Sequence, residues 1–118
     1  KINAQYYPAG TVASDIQAYV CDDNLVLMQV AVTAAGTSTM NGVTRAAVGM
    51  NTALIQGTGS TTTGDSANAV SATTATNAAL PIRIIDVVPE TVNAAGSYTE
   101  VIVKWNFGMH QYDNATGV

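Results

Sequence analysis

A chain of 118 residues with 47% hydrophobic content suits one domain built around one core. Only 10% of it is charged, against roughly a quarter in an ordinary soluble domain, and the scattered ionisable groups disfavour catalysis, metal capture and phosphate binding, which need such groups gathered. The net charge of −4, with Lys1, Arg45, Arg83 and Lys104 the only cations, opposes a direct role on nucleic acid or an anionic membrane, where each phosphate neutralised needs a Lys or Arg.

In chain order, residues 1–13 read as an extended amino-terminal arm. Strict alternation over 15–21 then predicts a half-buried strand, with Ile16, Ala18 and Val20 on one face and Asp15, Gln17, Tyr19 and Cys21 on the other. Cys21 is the sole cysteine, which rules out an intrachain disulfide and a Cys-based zinc site and predicts a small buried apolar side chain. Asp22-Asp23-Asn24 supplies turn chemistry, and the nearly continuous apolar run 25–32 predicts a second strand that closes a hairpin with the first. Small polar residues and turn signals fill 33–41, and 50–56 predicts a short strand. Residues 57–66, GTGSTTTGDS, form the plainest loop, followed by low-complexity Ala, Thr, Ser and Asn to 79 with one short strand at 69–72.

The carboxy-terminal part carries the firmest pattern. Residues 80–88, LPIRIIDVV, are dense in β-branched side chains, with Pro81 near the start, where a missing amide donor is tolerable, and Pro89 just past the end. After the turn at 93–96, the run 98–106 places Thr99, Val101, Val103 and Trp105 on a core face packing against 80–88, with Tyr98, Glu100, Ile102 and Lys104 opposite. Residues 107–118 form a carboxy-terminal tail. The chain is therefore expected to be all-β, a small barrel or sandwich with long Ala/Thr/Gly/Ser-rich loops. It holds no apolar run near the ~20 residues of a membrane helix.

No motif points to an active site, a metal site or a cofactor. Residues 59–66 have the spacing of a phosphate-binding loop, but Asp65 occupies the position where that loop needs Lys, and no strand-then-helix pattern brackets it. Asp22, Asp23 and Asn24 suit a turn better than calcium, because no twelve-residue loop ending in Glu follows. His110 has no companion metal ligand, and Asp86 and Glu90 read as surface charges. The large amphipathic side chains gather near both ends instead. Tyr6 and Tyr7 precede Pro8, and Phe107, Met109, His110 and Tyr112 follow Trp105. Such residues serve both as core and as interface anchors, and their clustering at the termini makes these six the candidate contact residues toward another chain.

Several blocks carry a resemblance: TVASDIQAYV from Thr11 with Asp22-Asp23, the loop GTGSTTTG from Gly57, the strand LPIRIID from Leu80, and VIVKWN from Val101 with His110-Gln-Tyr. Together they resemble small structural proteins of tailed bacteriophages, cyanophages included, of the capsid decoration or cement type. The resemblance implies a β-barrel-like or β-tulip domain assembled as a trimer on the virion exterior. Its implied partners are the major capsid protein and copies of itself, with no cofactor and no catalysis. Similar proteins carry an additional amino-terminal portion holding their first strands, so either that portion lies outside this sequence or the strands are arranged differently here. A tail fibre, spike or baseplate module binding host-surface glycans is the alternative, since it shares the β-rich, low-charge composition but needs exposed aromatic platforms.

Overall fold

The computed structural model describes residues 17–23, 25–37, 39–92 and 98–106. Within them lie strands β1 (Met28–Thr33), β2 (Asn51–Ile55), β3 (Ala69–Ala75), β4 (Ile82–Val87) and β5 (Glu100–Trp105), with single 3-10 turns at Arg45–Ala47 and Pro89–Thr91. The strands close into a barrel in the order β1-β3-β2-β4-β5. Every neighbouring pair is antiparallel except β1 and β3, which run parallel through Val32↔Val70 and Thr33↔Ser71. The expected all-β class is thus found, and closure decides for a barrel over a sandwich.

Inward alternation builds the core. Val101 and Val103 of β5 face Val87 and Ile84 of β4 across the antiparallel ladder, and Val32 and Val70 close the far side. Ile82, Ile84, Val87, Val32, Val70, Val101 and Val103 are all buried, each worth about 1.5–3 kcal/mol of transfer free energy. A bulge in the β4/β5 register between Ile84 and Asp86 shifts the alternation by one residue. It explains how the continuous run at 80–88 turns Ile85 outward and Val87 inward. Trp105, expected in the core, packs half-buried against it at the barrel's end.

Two buried asparagines pin the turn between β3 and β4. Asn51 donates to the Asn77 carbonyl (3.0 Å) and accepts from Arg83 Nε (2.9 Å), while Asn106 donates to the carbonyls of Ala78 (3.2 Å) and Leu80 (2.9 Å). Gly49 enters β2 at φ +85°, a left-handed conformation that a side chain would strain. Its amide bonds to the Ile84 carbonyl at 2.8 Å.

The predicted first hairpin does not form. The Asp23 turn exists, with Leu25 N–H donating to its carboxylate (2.8 Å) and Val26 N–H to its carbonyl (3.4 Å). However, residues 17–23 belong to no strand, because β1 takes its partners from far along the chain, β5 and β3, rather than from the segment before it. Val20, expected on a buried face, is 80% exposed. Cys21, expected buried, is exposed as well, since the segment that carries it packs on no barrel face.

Candidate contact surface

The loop that mimics a phosphate cradle spends its amides on itself. Thr62 and Thr63 donate to Ser60 Oγ (3.3 and 3.2 Å), Gly64 to the Ser60 carbonyl (2.9 Å), Ser60 to the Asp65 carbonyl (2.9 Å) and Asp65 to Thr63 Oγ1 (3.4 Å). An anion site requires such amides to converge outward on the ligand, and here they turn inward on the tip's own oxygens. The legs below the tip approach so closely that a Cβ on Gly57 would sit 2.6 Å from the Ala67 carbonyl oxygen.

Among the described residues the ionisable side chains meet in pairs and not in clusters. Asp86 meets Arg45 at 3.4 Å in an exposed ion pair and also accepts from Val87 N–H (2.8 Å), so its carboxylate serves the β4 bulge. Such exposed pairs contribute about 0–1 kcal/mol. Glu100, the first residue of β5 and opposite Ala31 of β1, receives hydrogen bonds from the Tyr98 hydroxyl and the Gln29 amide. The Tyr98 bond, then the Gln29 bond, hold the carboxyl below its ordinary range against a smaller opposing effect of burial. The same contact raises the Tyr98 phenol, with burial and the Glu100 charge adding to it. Among the described residues no three His, Cys, Asp or Glu side chains gather where a metal ion would need them.

The described surface offers apolar side chains instead. Tyr19 is 90% exposed, Val20 80%, Leu25 67% and Leu27 58%, all on the segment leading into β1. Leu54 and Ile85 on the barrel strands, and Val48, Met40, Val92 and Tyr98 on the connecting segments, are exposed to a smaller degree. Single exposed apolar residues are ordinary, but four within nine consecutive positions concentrate apolar exposure on one segment. Alternation over 17–21 signalled a strand, and it carried no information on whether a partner within the chain exists. The sequence-derived contact residues Tyr6, Tyr7, Phe107, Met109, His110 and Tyr112 lie outside the described residues.

Among the described residues no helix is long and apolar enough to cross a membrane. No protein-family model matches the chain, and no curated protein or solved structure is detectably similar to it.

Proposed function

We propose that the chain is a capsid decoration, or cement, protein of a tailed bacteriophage, seated on the outer face of the head shell as a homotrimer bound to the major capsid protein. The observation that carries this reading is the pairing of a closed barrel with a segment leading into β1 whose Tyr19, Val20, Leu25 and Leu27 face solvent. A cement protein needs a stiff scaffold and apolar contact surface, and it needs no catalytic group, in keeping with the blocks of sequence that resemble such proteins.

The low charge suits that role. Burying a charge at a subunit contact is costly unless it is paired, so a chain living among packed copies favours Thr, Ala and Val on surfaces where a free monomer would carry Lys and Glu. Symmetry then multiplies modest contacts into a stable lattice through avidity. In this reading the aromatic sets at Tyr6-Tyr7 and 107–112 extend the contacts made by the segment leading into β1.

Electron cryo-microscopy of the intact particle tests the proposal. Density for the barrel repeated over the head at symmetry-related positions is the expected result. Finding the protein only on tail structures would sink it and favour the glycan-binding alternative.

A further inference from the structure

We propose that residues 17–23 act as an arm that becomes a strand only between copies, with the arm of one copy laid along the β4-facing edge of β2, Ala53 to Ile55, of a second. The inference rests on the self-association in the reading above and not on attachment to a shell.

The arm is a strand lacking a ladder. Its segment Gln17-Ala18-Tyr19-Val20-Cys21 holds neither charge nor proline and includes an aromatic and a β-branched residue, which favour pleated structure. In an extended chain Tyr19 and Val20 point to opposite sides, and both are exposed, so the barrel covers neither of these side chains.

The edge is a ladder lacking a strand. β2 pairs with β4 only through Asn51↔Arg83 and Thr52↔Ile82. The next hydrogen-bonded pair of that register would be Leu54 and Leu80, but Leu80 gives its N–H to the Asn77 carbonyl (3.2 Å) and its carbonyl accepts from Asn106 Nδ2 (2.9 Å), while Pro81 turns its carbonyl to Asn106 N–H of the β5 side (2.8 Å). Beyond Thr52 the β4-facing side of β2 therefore has no ladder partner among the described residues. Proteins commonly guard such an edge with Lys or Pro, whereas Ala53-Leu54-Ile55-Gln56 presents no charge and no proline, with Leu54 39% exposed.

Within its own chain the segment 17–23 is exposed and in no ladder, and reach leaves little slack for it to turn onto its own β2 edge. In the order β1-β3-β2-β4-β5, a strand added between β2 and β4 lies three inter-strand spacings from β1 in either direction, about 14 Å around the barrel. The link from Asp23 to Met28 spans at most about 17 Å when fully extended. The turn at Asp23, held by Leu25 and Val26, takes up part of that length, and the layer of outward side chains lengthens the path. A neighbouring copy has no such constraint. Arm and edge are different surfaces, so each copy gives one and receives one, a heterologous contact that closes into a ring when the rotation permits.

The test uses the full chain. Light scattering coupled to size exclusion should find an oligomer, and Val20→Asp should weaken its association by about 100-fold, since a charge would be buried in the added ladder. The monomeric fold should be untouched, because Val20 is 80% exposed there. Cys21 is the only native thiol, so single substitutions Ala53→Cys, Leu54→Cys and Ile55→Cys, oxidised with glutathione disulfide, should give chain-to-chain links at Cys21 that the parent lacks. A monomeric parent would overturn both this inference and the self-association it rests on. An oligomer unchanged by Val20→Asp, links confined within one chain, or no links at any of the three positions would overturn the inference alone.

Discussion

Two buried threonines should respond to the same substitution with opposite sign. Thr52 is 0% exposed, and the single proton of its hydroxyl is shared between the carbonyls of Ser71 (2.6 Å) and Thr73 (3.1 Å), where a shift in the β2/β3 register disturbs the regular ladder. Thr33 is 3% exposed, and its hydroxyl has no hydrogen-bond partner among the described residues. Valine keeps the β-branched shape and exchanges the hydroxyl for a methyl, so the backbone preference is unchanged at both sites. Thr52→Val withdraws a donor from buried carbonyls at about 1–3 kcal/mol, offset by about 0.8 kcal/mol for the added apolar group, and should destabilise by about 1–2 kcal/mol. Thr33→Val removes a buried unpaired hydroxyl and should stabilise by about 1 kcal/mol. At roughly 4 °C per kcal/mol for a chain of this length, the two melting temperatures should differ by about 8–12 °C. Urea unfolding with unchanged slopes would place the effects in the native state. Destabilisation of equal size by both substitutions would refute the hydrogen-bond argument and leave packing as the cause.

Three further outcomes are expected. Trp105→Ala should cost about 2–3 kcal/mol, below the 3–5 of a fully buried aromatic because Trp105 is half-buried at the core's end; an unchanged denaturation midpoint would place it outside the core. Gly57→Ala should cost about 1–3 kcal/mol, read as a lower melting temperature, because the new methyl would meet the Ala67 carbonyl oxygen at 2.6 Å and its Cβ at 2.7 Å, and backbone must move; full stability would mean that the hairpin legs part freely. Glu100 titrates below its ordinary value when folded, so its contribution is present above the unfolded pKa and fades as pH falls through the folded one. Tyr98→Phe should move that titration upward, with Gln29 retaining part of the shift, and an unmoved carboxyl resonance in an NMR titration would assign the whole effect to Gln29.

What the sequence made legible follows from what each strand depends on. β4 and β5 owe their existence to dense β-branched side chains at period two, a property of the segment itself, and both lie within the predicted runs. β3 extends to Ala75, beyond the predicted 69–72, because small Ala, Ser and Thr side chains give little local preference and neighbouring strands decide. The parallel pairing of β1 with β3 and the closure of β1 on β5 join segments far apart in the chain, and no periodicity within either segment encodes that choice. The same limit explains the missed asparagines. Asn51 and Asn106 each sit at a strand end and look like turn residues, yet their amides are buried and hold the β3–β4 turn through bonds 26 to 28 residues distant in sequence.

The misplaced first strand carries the same lesson further. Alternation reports that a segment is suited to a ladder, while the ladder itself is a property of two segments. Residues 17–23 possess the first and lack the second within the barrel, so the predicted buried face of Ala18 and Val20 meets solvent. Two descriptions then compete for such a segment in solution. One is a strand pattern with no consequence, in which the apolar side chains stay hydrated at every concentration. The other is half of a contact, in which hydration of Tyr19 and Val20 ends when a second chain arrives. Concentration separates them: amide hydrogen exchange over 17–23 should slow as the protein is concentrated through its association range, and exchange independent of concentration would leave the arm as an uncommitted strand pattern.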